Sequence, residues 1–343
     1  MIAIIGDLHI GVKNASKHHH AYMEKILNSF FLELEEKNIK TVIQLGDLFD
    51  DRKVLHLWAW DFFDRVIQPK IESLGLTWYN IVGNHDSHYK ETLEINTPRL
   101  RLGDHKNVVI VDSPTEIDLR EDGKFLLLPW INKSNEQETL KIIEETDARF
   151  CCGHFEFSGF DLYRGQPAKS HFKHDIFSKF ERVYSGHYHT FSSRDNVVYS
   201  GTPYELTWQD SEDPKYFLVH SKDGFEKIPT KEQMYIKVRY TDSIDCESLN
   251  VCGKIVRVLV NGRPDKLKFN AFVHSLEQMQ PFDLKIQETF QDDLSEDASQ
   301  VDDLTNTRDI IVEYLSNSKV DLDTDRLMGI FDELYSLAQT EED

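Results

Sequence analysis

Five apolar runs each end in a glycine followed by Asp, Asn or His, and this repetition limits the fold more than any other feature of the chain. The runs are IAIIGDLHIG, TVIQLGDLFDDR, WYNIVGNHD, RFCCGHFEF and RVYSGHYHTF. They place Asp7 and His9, Asp47 and Asp50, Asn84, His85 and Asp86, His154, and His187 and His189 at strand ends. A glycine there lets the chain turn sharply off a strand and brings backbone close to a ligand. Helical patterns separate the first three runs. HAYMEKILNSFFLELEEKN has apolar residues at 22, 26, 27, 30, 31 and 34, and LHLWAWDFFDRVIQPKIESLG follows the second run. This βαβαβ opening predicts a largely parallel sheet with right-handed crossovers. VVIVDS, FLLLPWI, NVVYSGT and YFLVHS then read as short strands, with one helix near 134–147. The expected fold is α/β, an αββα sandwich of two sheets with helices outside.

The pattern restarts near residue 229, so 1–228 is expected as the large domain and 229–290 as a small α+β domain. In the latter QMYIKVRYT, KIVRVLVNG and FDLKIQETF read as strands and KFNAFVHSLEQM as a helix. Residues 291–306 are acidic and short of aromatics, a linker composition. Residues 307–343 hold two helical patterns, RDIIVEYLSN and TDRLMGIFDELYSLAQ. Leu327, Ile330, Phe331, Leu334 and Ala338 form one apolar stripe, suited to its own globule or to a partner's groove.

The net charge of −21 argues at first against nucleic acid, because phosphate contacts need basic side chains. Residues 291–343 hold 3 Lys and Arg against 16 Asp and Glu, so −13 of the −21 lies there and −8 elsewhere. Exposed charges more than about 10 Å apart are largely screened at about 0.1 M salt, so an acidic tail does not veto DNA elsewhere. No apolar stretch reaches the roughly 18 residues of a membrane helix, and MIAIIGDLHI lacks the basic lead and cleavage site of a signal peptide. The 4 cysteines have neither zinc nor disulfide spacing. A cytoplasmic location is expected.

Strands of an α/β sheet deliver their carboxyl ends to one edge, where ligands bind. Asp, Asn and His tips meeting there would be costly without cations. Such a donor set, lacking cysteine, suits Mn, Fe, Zn or Mg. Two carboxylates cannot serve two dications independently, so one must bridge, and such a pair is built to clamp a phosphoryl group. Strand alternation would point His187 and His189 to one side and Tyr188 away. No G-x-x-x-x-G-K-[ST] occurs, so ATP is not bound through that motif. His18, His19 and His20 precede an amphipathic helix and are expected in solvent. His171 and His174, in AKSHFKHD, lie in a basic stretch that suits either a DNA backbone or a plain surface.

The series D-x-H, GD, GNHD, GH and GHxH, over residues 7–189, resembles the motif set of the calcineurin-like metallophosphoesterases. GDLHIG at the N-terminus, GDLFD, GHF and the α+β unit after residue 229 resemble the SbcD-type nuclease subunits within that superfamily. Length and acidic tail are similar to the branch carried by T-even-type bacteriophages. The resemblance implies a metallophosphoesterase sandwich with a DNA-capping domain. It implies a manganese-dependent DNA nuclease, with exonuclease and endonuclease activity, acting on DNA ends in the bacterial host cytoplasm during double-strand-break repair and recombination. Asp7, His9, Asp47 and His189 would hold one ion, and Asp47, Asn84, His154 and His187 the other, with Mg or Fe as alternatives to Mn. His85 would sit beside the scissile phosphate and protonate the leaving oxygen or stabilise the developing charge. The C-terminal helices would dock on an SbcC-type coiled-coil ATPase, and helices after residues 55 and 90 would form a homodimer.

One departure concerns position 50. Some relatives carry a second histidine after GDLF, where this chain has Asp50. A carboxylate there would orient His85 and raise its pKa, or it would merely cap a turn. Protein phosphatases of the superfamily carry GDxxDRG and GNHE. GDLFDDR and GNHD therefore count against a protein phosphatase or a nucleotide phosphodiesterase. A non-enzymatic scaffold would lack a ligand, and none is missing.

Overall fold

Two six-stranded mixed sheets pack face to face in the computed structural model, which describes residues 1–163, 166–167, 174–262 and 264–289. The first has the order Gly224–Pro229, Tyr216–Ser221, Ile2–Ile5, Thr41–Gln44, Thr77–Ile81, Val108–Val111. Its last four strands are parallel, and Tyr216–Ser221 joins them antiparallel. The second has the order Ser192–Arg194, Val197–Tyr199, Arg182–Gly186, Phe150–His154, Lys124–Leu128, Thr115–Asp118. Parallel pairing runs from Val197–Tyr199 through Lys124–Leu128.

The side-chain period of two builds the layers. Ile2, Ile4, Ile43 and Leu218 of the first sheet meet Phe125, Leu127, Phe150, Cys152 and Tyr184 of the second in a central core. The intervening residues face outward. Ala3, Ile5, Val42, Trp78 and Phe217 pack with Met23, Ile26, Leu27, Phe30, Phe31 and Leu34 of the helix Lys17–Glu36. Leu126, Cys151 and Val183 lie under Ile143 of the helix Glu136–Glu145. Strands covered on both faces must be apolar throughout, which is why they read as unbroken runs and not as alternations. The expected αββα sandwich is what forms. The edge strands Thr115–Asp118, Ser192–Arg194 and Gly224–Pro229 were not foreseen, because they are half exposed and polar.

The second helical segment spans Leu57–Phe62, a π-turn over Phe63–Ile67, and Gln68–Leu74. Pro69 cannot donate to the Arg65 carbonyl, and the wider turn absorbs that break. His19 and His20 correct the solvent expectation: they are 5% and 3% exposed. They lie one turn before Met23 and Leu27 on the buried stripe. Their partners, Tyr235 (His19 Nε2 to its hydroxyl, 2.9 Å) and Phe62, come from distant segments.

Tyr235–Arg239, Ile255–Asn261 and Asp283–Thr289 form a separate three-stranded sheet. The helix Lys266–Gln278 accompanies it, with the Asp265 carboxylate accepting from Leu267 N and Lys268 N. Met1–Leu259 with Asp265–Gln287 form one compact unit. Residues 290–343, with the expected linker and the apolar helical stripe, lie outside the described residues. Among the described residues no helix is long and apolar enough to cross a membrane.

Candidate metal centre

The polar tips meet where the parallel strands of both sheets end. His187 N donates to both carboxylate oxygens of Asp7, at 3.1 and 3.0 Å. His154 Nδ1 stands 2.8 Å from the Leu45 carbonyl, which fixes the ring across the two sheets. The turns that aim these groups are strained. His9, Asp47 and His187 have φ of 44°, 51° and 87°. Left-handed backbone at a non-glycine residue costs about 1–3 kcal/mol and persists only where neighbours dictate it. Here they do. The Asp47 carbonyl accepts from Leu8 N and His9 N, at 3.1 and 3.0 Å. The fully buried Asp86 carboxylate accepts from Leu48 N, Phe49 N and Gly83 N, stitching the second tip to the third.

Glycine precedes these residues because the tips nearly touch. A Cβ on Gly83 would lie 2.2 Å from Asp47 Oδ1, and one on Gly186 would lie 2.4 Å from Asp7 Oδ1. The strand Arg182–Gly186 stops before His187, so strand alternation does not orient His187 and His189. The left-handed turn at His187 does so instead. Tyr188 between them is buried, with its hydroxyl on the Phe157 carbonyl at 2.9 Å.

Three groups of donors result, one of them His9, Asp50 and His85 on the open side, and the other two share no residue. Asp7, His9 and His189 each bring one ligand atom within 4.8 Å of the others, and so do Asp47, His154 and His187. Asn84 joins the second group, its Oδ1 being 2.9 Å from both His154 Nε2 and His187 Nδ1. One atom connects the groups: Asp47 Oδ2 is 3.3 Å from His154 Nε2 and 3.9 Å from His9 Nε2. His9 Nε2 is buried without a hydrogen-bond partner among the described residues, 4.0 Å from Asp7 Oδ2. A buried ring nitrogen facing two carboxylate oxygens just beyond hydrogen-bond range suits three ligands of one cation. The donor set therefore fits a pair of divalent ions.

The charges point the same way. Burial pushes the His154 and His9 imidazoliums down, but Asp47 and Asp7, with Asp50 beside His9, outweigh it and raise both to about 9. Burial and the Asp47 charge raise Asp7 to about 7 against the pull of His154 and His9. Asp47 is held below the usual carboxylate range, because His154, His9 and His85 more than offset its burial. Burial, with the nearby His154 and His9 charges, lowers His187 and His189 to about 3, leaving neutral rings with lone pairs to donate. Protons thus supply in the metal-free chain the positive charge that a cation would bring.

His85 and Asp50 sit at the open side. His85 N donates to Asp47 Oδ1 at 2.7 Å, and His85 Nδ1 lies 2.6 Å from the Asp50 carbonyl. A carbonyl only accepts, so Nδ1 bears a hydrogen. The Asp50 carboxylate itself lies 3.3 Å from His9 Nδ1. Asp50 therefore orients His85 through its main chain and His9 through its side chain. Two neighbours had no sequence assignment. Trp130, just past the strand Lys124–Leu128, packs 5.2 Å from the His187 ring, and Lys215 reaches the His189 carbonyl at 2.9 Å. The position of Trp130 at a strand end was the only available signal. Residues 168–173, which include His171, lie outside the described residues, and His174 pairs with Asp195 at 3.2 Å.

Known proteins resemble the chain over this region and beyond. A family model described as calcineurin-like phosphoesterase matches residues 1–191. Exonuclease subunit 1 of Enterobacteria phage T4 is 31% identical over 342 residues, covering 96% of this chain and 97% of that one. A dimetal phosphatase from Danio rerio is similar at 11% identity and a TM-score of 0.37, over 67% of this chain and 98% of that one. GAP50, the anchor in the inner membrane complex of Plasmodium, is similar at 13% identity and a TM-score of 0.41, over 84% and 96%.

Proposed function

Because the chain belongs to the calcineurin-like phosphoesterase family, we propose that it is a manganese-dependent DNA nuclease that cuts phosphodiester bonds at DNA ends. It is a dinuclear-metal phosphodiesterase. The exonuclease name of its phage relative supports a DNA substrate and a partner subunit. The observation that carries the reading is Asp47 Oδ2, poised between His154 Nε2 at 3.3 Å and His9 Nε2 at 3.9 Å. In this reading Asp47 would serve as a ligand to both ions. Asp7, His9 and His189 complete the first set, and Asn84, His154 and His187 the second. Bound dications supply Lewis-acid charge and an activated water. The residues supply the rest. Asp47 Oδ1 holds the His85 main chain, and the Asp50 carbonyl holds His85 Nδ1. His85 Nε2 then presents a proton or a positive charge to the leaving oxygen. His85 is only half-buried.

Residues 1–228 would be the nuclease domain and 229–290 the DNA cap. Residues 307–343 would dock on an SbcC-type ATPase in the bacterial host cytoplasm. A homodimer is supported by the apolar face at Leu57, Trp60 and Leu100, exposed by 84%, 46% and 77%. The deciding assay is cleavage of end-labelled duplex DNA with Mn2+, with and without EDTA and the ATPase. Metal-dependent release of nucleotides is expected. Turnover of a phosphoprotein or a nucleotide diester, with DNA left intact, would overturn the proposal.

A further inference from the structure

We propose that Lys215, together with Asp210, is a positioning residue that holds His189 in place for the first cation, an inference that rests on the dinuclear reading above. The side chain of Lys215 is only 4% exposed. Its ammonium donates to the His189 carbonyl at 2.9 Å, to Asp210 Oδ1 at 2.8 Å and to Asp213 Oδ2 at 3.0 Å. An ammonium has three hydrogens to give, and these acceptors use them all. The other Asp210 oxygen accepts from Leu206 N, Thr207 N and Thr207 Oγ1, at 3.1, 2.9 and 3.1 Å. A buried charge is tolerated only when its bonds are made this completely.

His189 needs such a mooring. The strand Arg182–Gly186 has ended, the chain has reversed through the left-handed His187, and Tyr188 points into the core. The next residue, His189, lies beyond the strand. Its carbonyl is held by Lys215 and by Thr202 N at 3.1 Å. The mooring is seated in turn on the strand Tyr235–Arg239. Tyr235 donates its hydroxyl to the Leu206 carbonyl at 3.0 Å, and Glu205 Oε2 accepts from Met234 N and Tyr235 N at 2.7 and 2.9 Å. Lys215 thus ties a ligand on an irregular turn to a rigid, buried framework, the role that outer partners play around metal ligands.

Calorimetric titration of the full chain with Mn2+ alone tests this, with thermal melting of the metal-free proteins alongside. The variants are Lys215→Arg, Lys215→Met and Lys215→Met/Asp210→Asn. The double variant neutralises the more buried of the two carboxylates that the single one would leave without the ammonium. The wild type should take two ions. In the double variant one ion should bind about ten- to a hundred-fold more weakly and the other as in the wild type, with Lys215→Arg between. The exchange-coupled Mn–Mn paramagnetic resonance signal should fade in step. A folded double variant that binds both ions at wild-type affinity, or loses both equally, would overturn the proposal. If the double variant does not fold, Lys215→Arg decides by the same criterion. A wild type that fails to bind two ions would sink the dinuclear reading instead, which separates the two failures.

Discussion

The two halves of the metal centre reach their geometry by different means. In the half made of Asn84, His154 and His187 with Asp47, ligand atoms stand 2.9 to 3.3 Å apart, and His154 is wholly buried with its far nitrogen on the Leu45 carbonyl. In the half made of Asp7, His9 and His189, His9 Nε2 keeps 3.9 and 4.0 Å from its carboxylates. There the histidines are steered from outside, His9 by the Asp50 carboxylate and His189 by Lys215. One half is preorganised by its own members and the other by its neighbours. As the proposed bridge, Asp47 would belong to both, so variants at these positions should separate or merge the halves.

Asp47→Ala has the largest expected effect. Both ions should be lost together and cleavage should drop below detection, measured as metal content after gel filtration and release of end label. Retention of two tightly held ions would show that the halves do not share this carboxylate. His85→Ala comes next. In its proposed role it is a ligand in neither half, so metal content should stay at two while cleavage falls by about 10²–10⁴-fold, the usual worth of a positioned acid. Loss of an ion in that variant would make His85 a ligand and redraw the first half.

Gly186→Ala should be milder and felt in both halves, because its Cβ would also lie 2.9 Å from His154 Nδ1. Its Cβ would press on Asp7 Oδ1 at 2.4 Å and on the Leu45 carbonyl at 2.6 Å. Overpacking of this kind costs about 1–3 kcal/mol, read as a lower denaturant midpoint of the metal-free protein. An unchanged midpoint would mean that the tips have more room than their contacts imply.

The tightly built half was the more legible in the sequence. Each of its members follows a glycine at the end of an apolar run, and such runs announce themselves when both faces of a strand are covered. The helical patterns between the first runs pointed to helices outside the sheets, whereas which of Ile2, Ala3, Ile4 and Ile5 faces which layer is set by packing alone, since all four are apolar. What steers the other half was not legible. Lys215 sits in EDPKYFLV, which reads as a charged turn at the surface. Its burial depends on Asp210 and on the His189 carbonyl, a group 26 residues away that carries no side-chain signature. Asp50 was visible as a residue, but the nitrogen that its carboxylate meets is set by the left-handed turn at His9. Asp86 was visible too, yet its task of accepting backbone N–H groups from two loops becomes apparent only once those loops adjoin. Local pattern reports burial and turns, whereas long-range polar partnerships depend on which turns become neighbours.

Asp50→Asn should give the smallest change and the sharpest contrast between the halves. His9 is raised from 6.5 to about 9 against the opposing effect of burial, and Asp50 is the strongest of the groups that raise it. A cation must displace that proton, so affinity for the first ion should rise with pH until His9 is neutral and fall as the pH drops below about 9. Without the Asp50 charge, His9 gives up its proton at lower pH, and the plateau of affinity moves down the pH scale. His154 is raised to about 9 by Asp47 and Asp7 and has no contact with Asp50, so the second ion should keep its profile. Titration with Mn2+ between about pH 6 and 9 would show a displacement for one ion only, worth within about tenfold at neutral pH. Equal displacement of both ions would mean that the halves exchange protons as one unit. No displacement would mean that the long contacts around His9 are as self-sufficient as the short ones around His154.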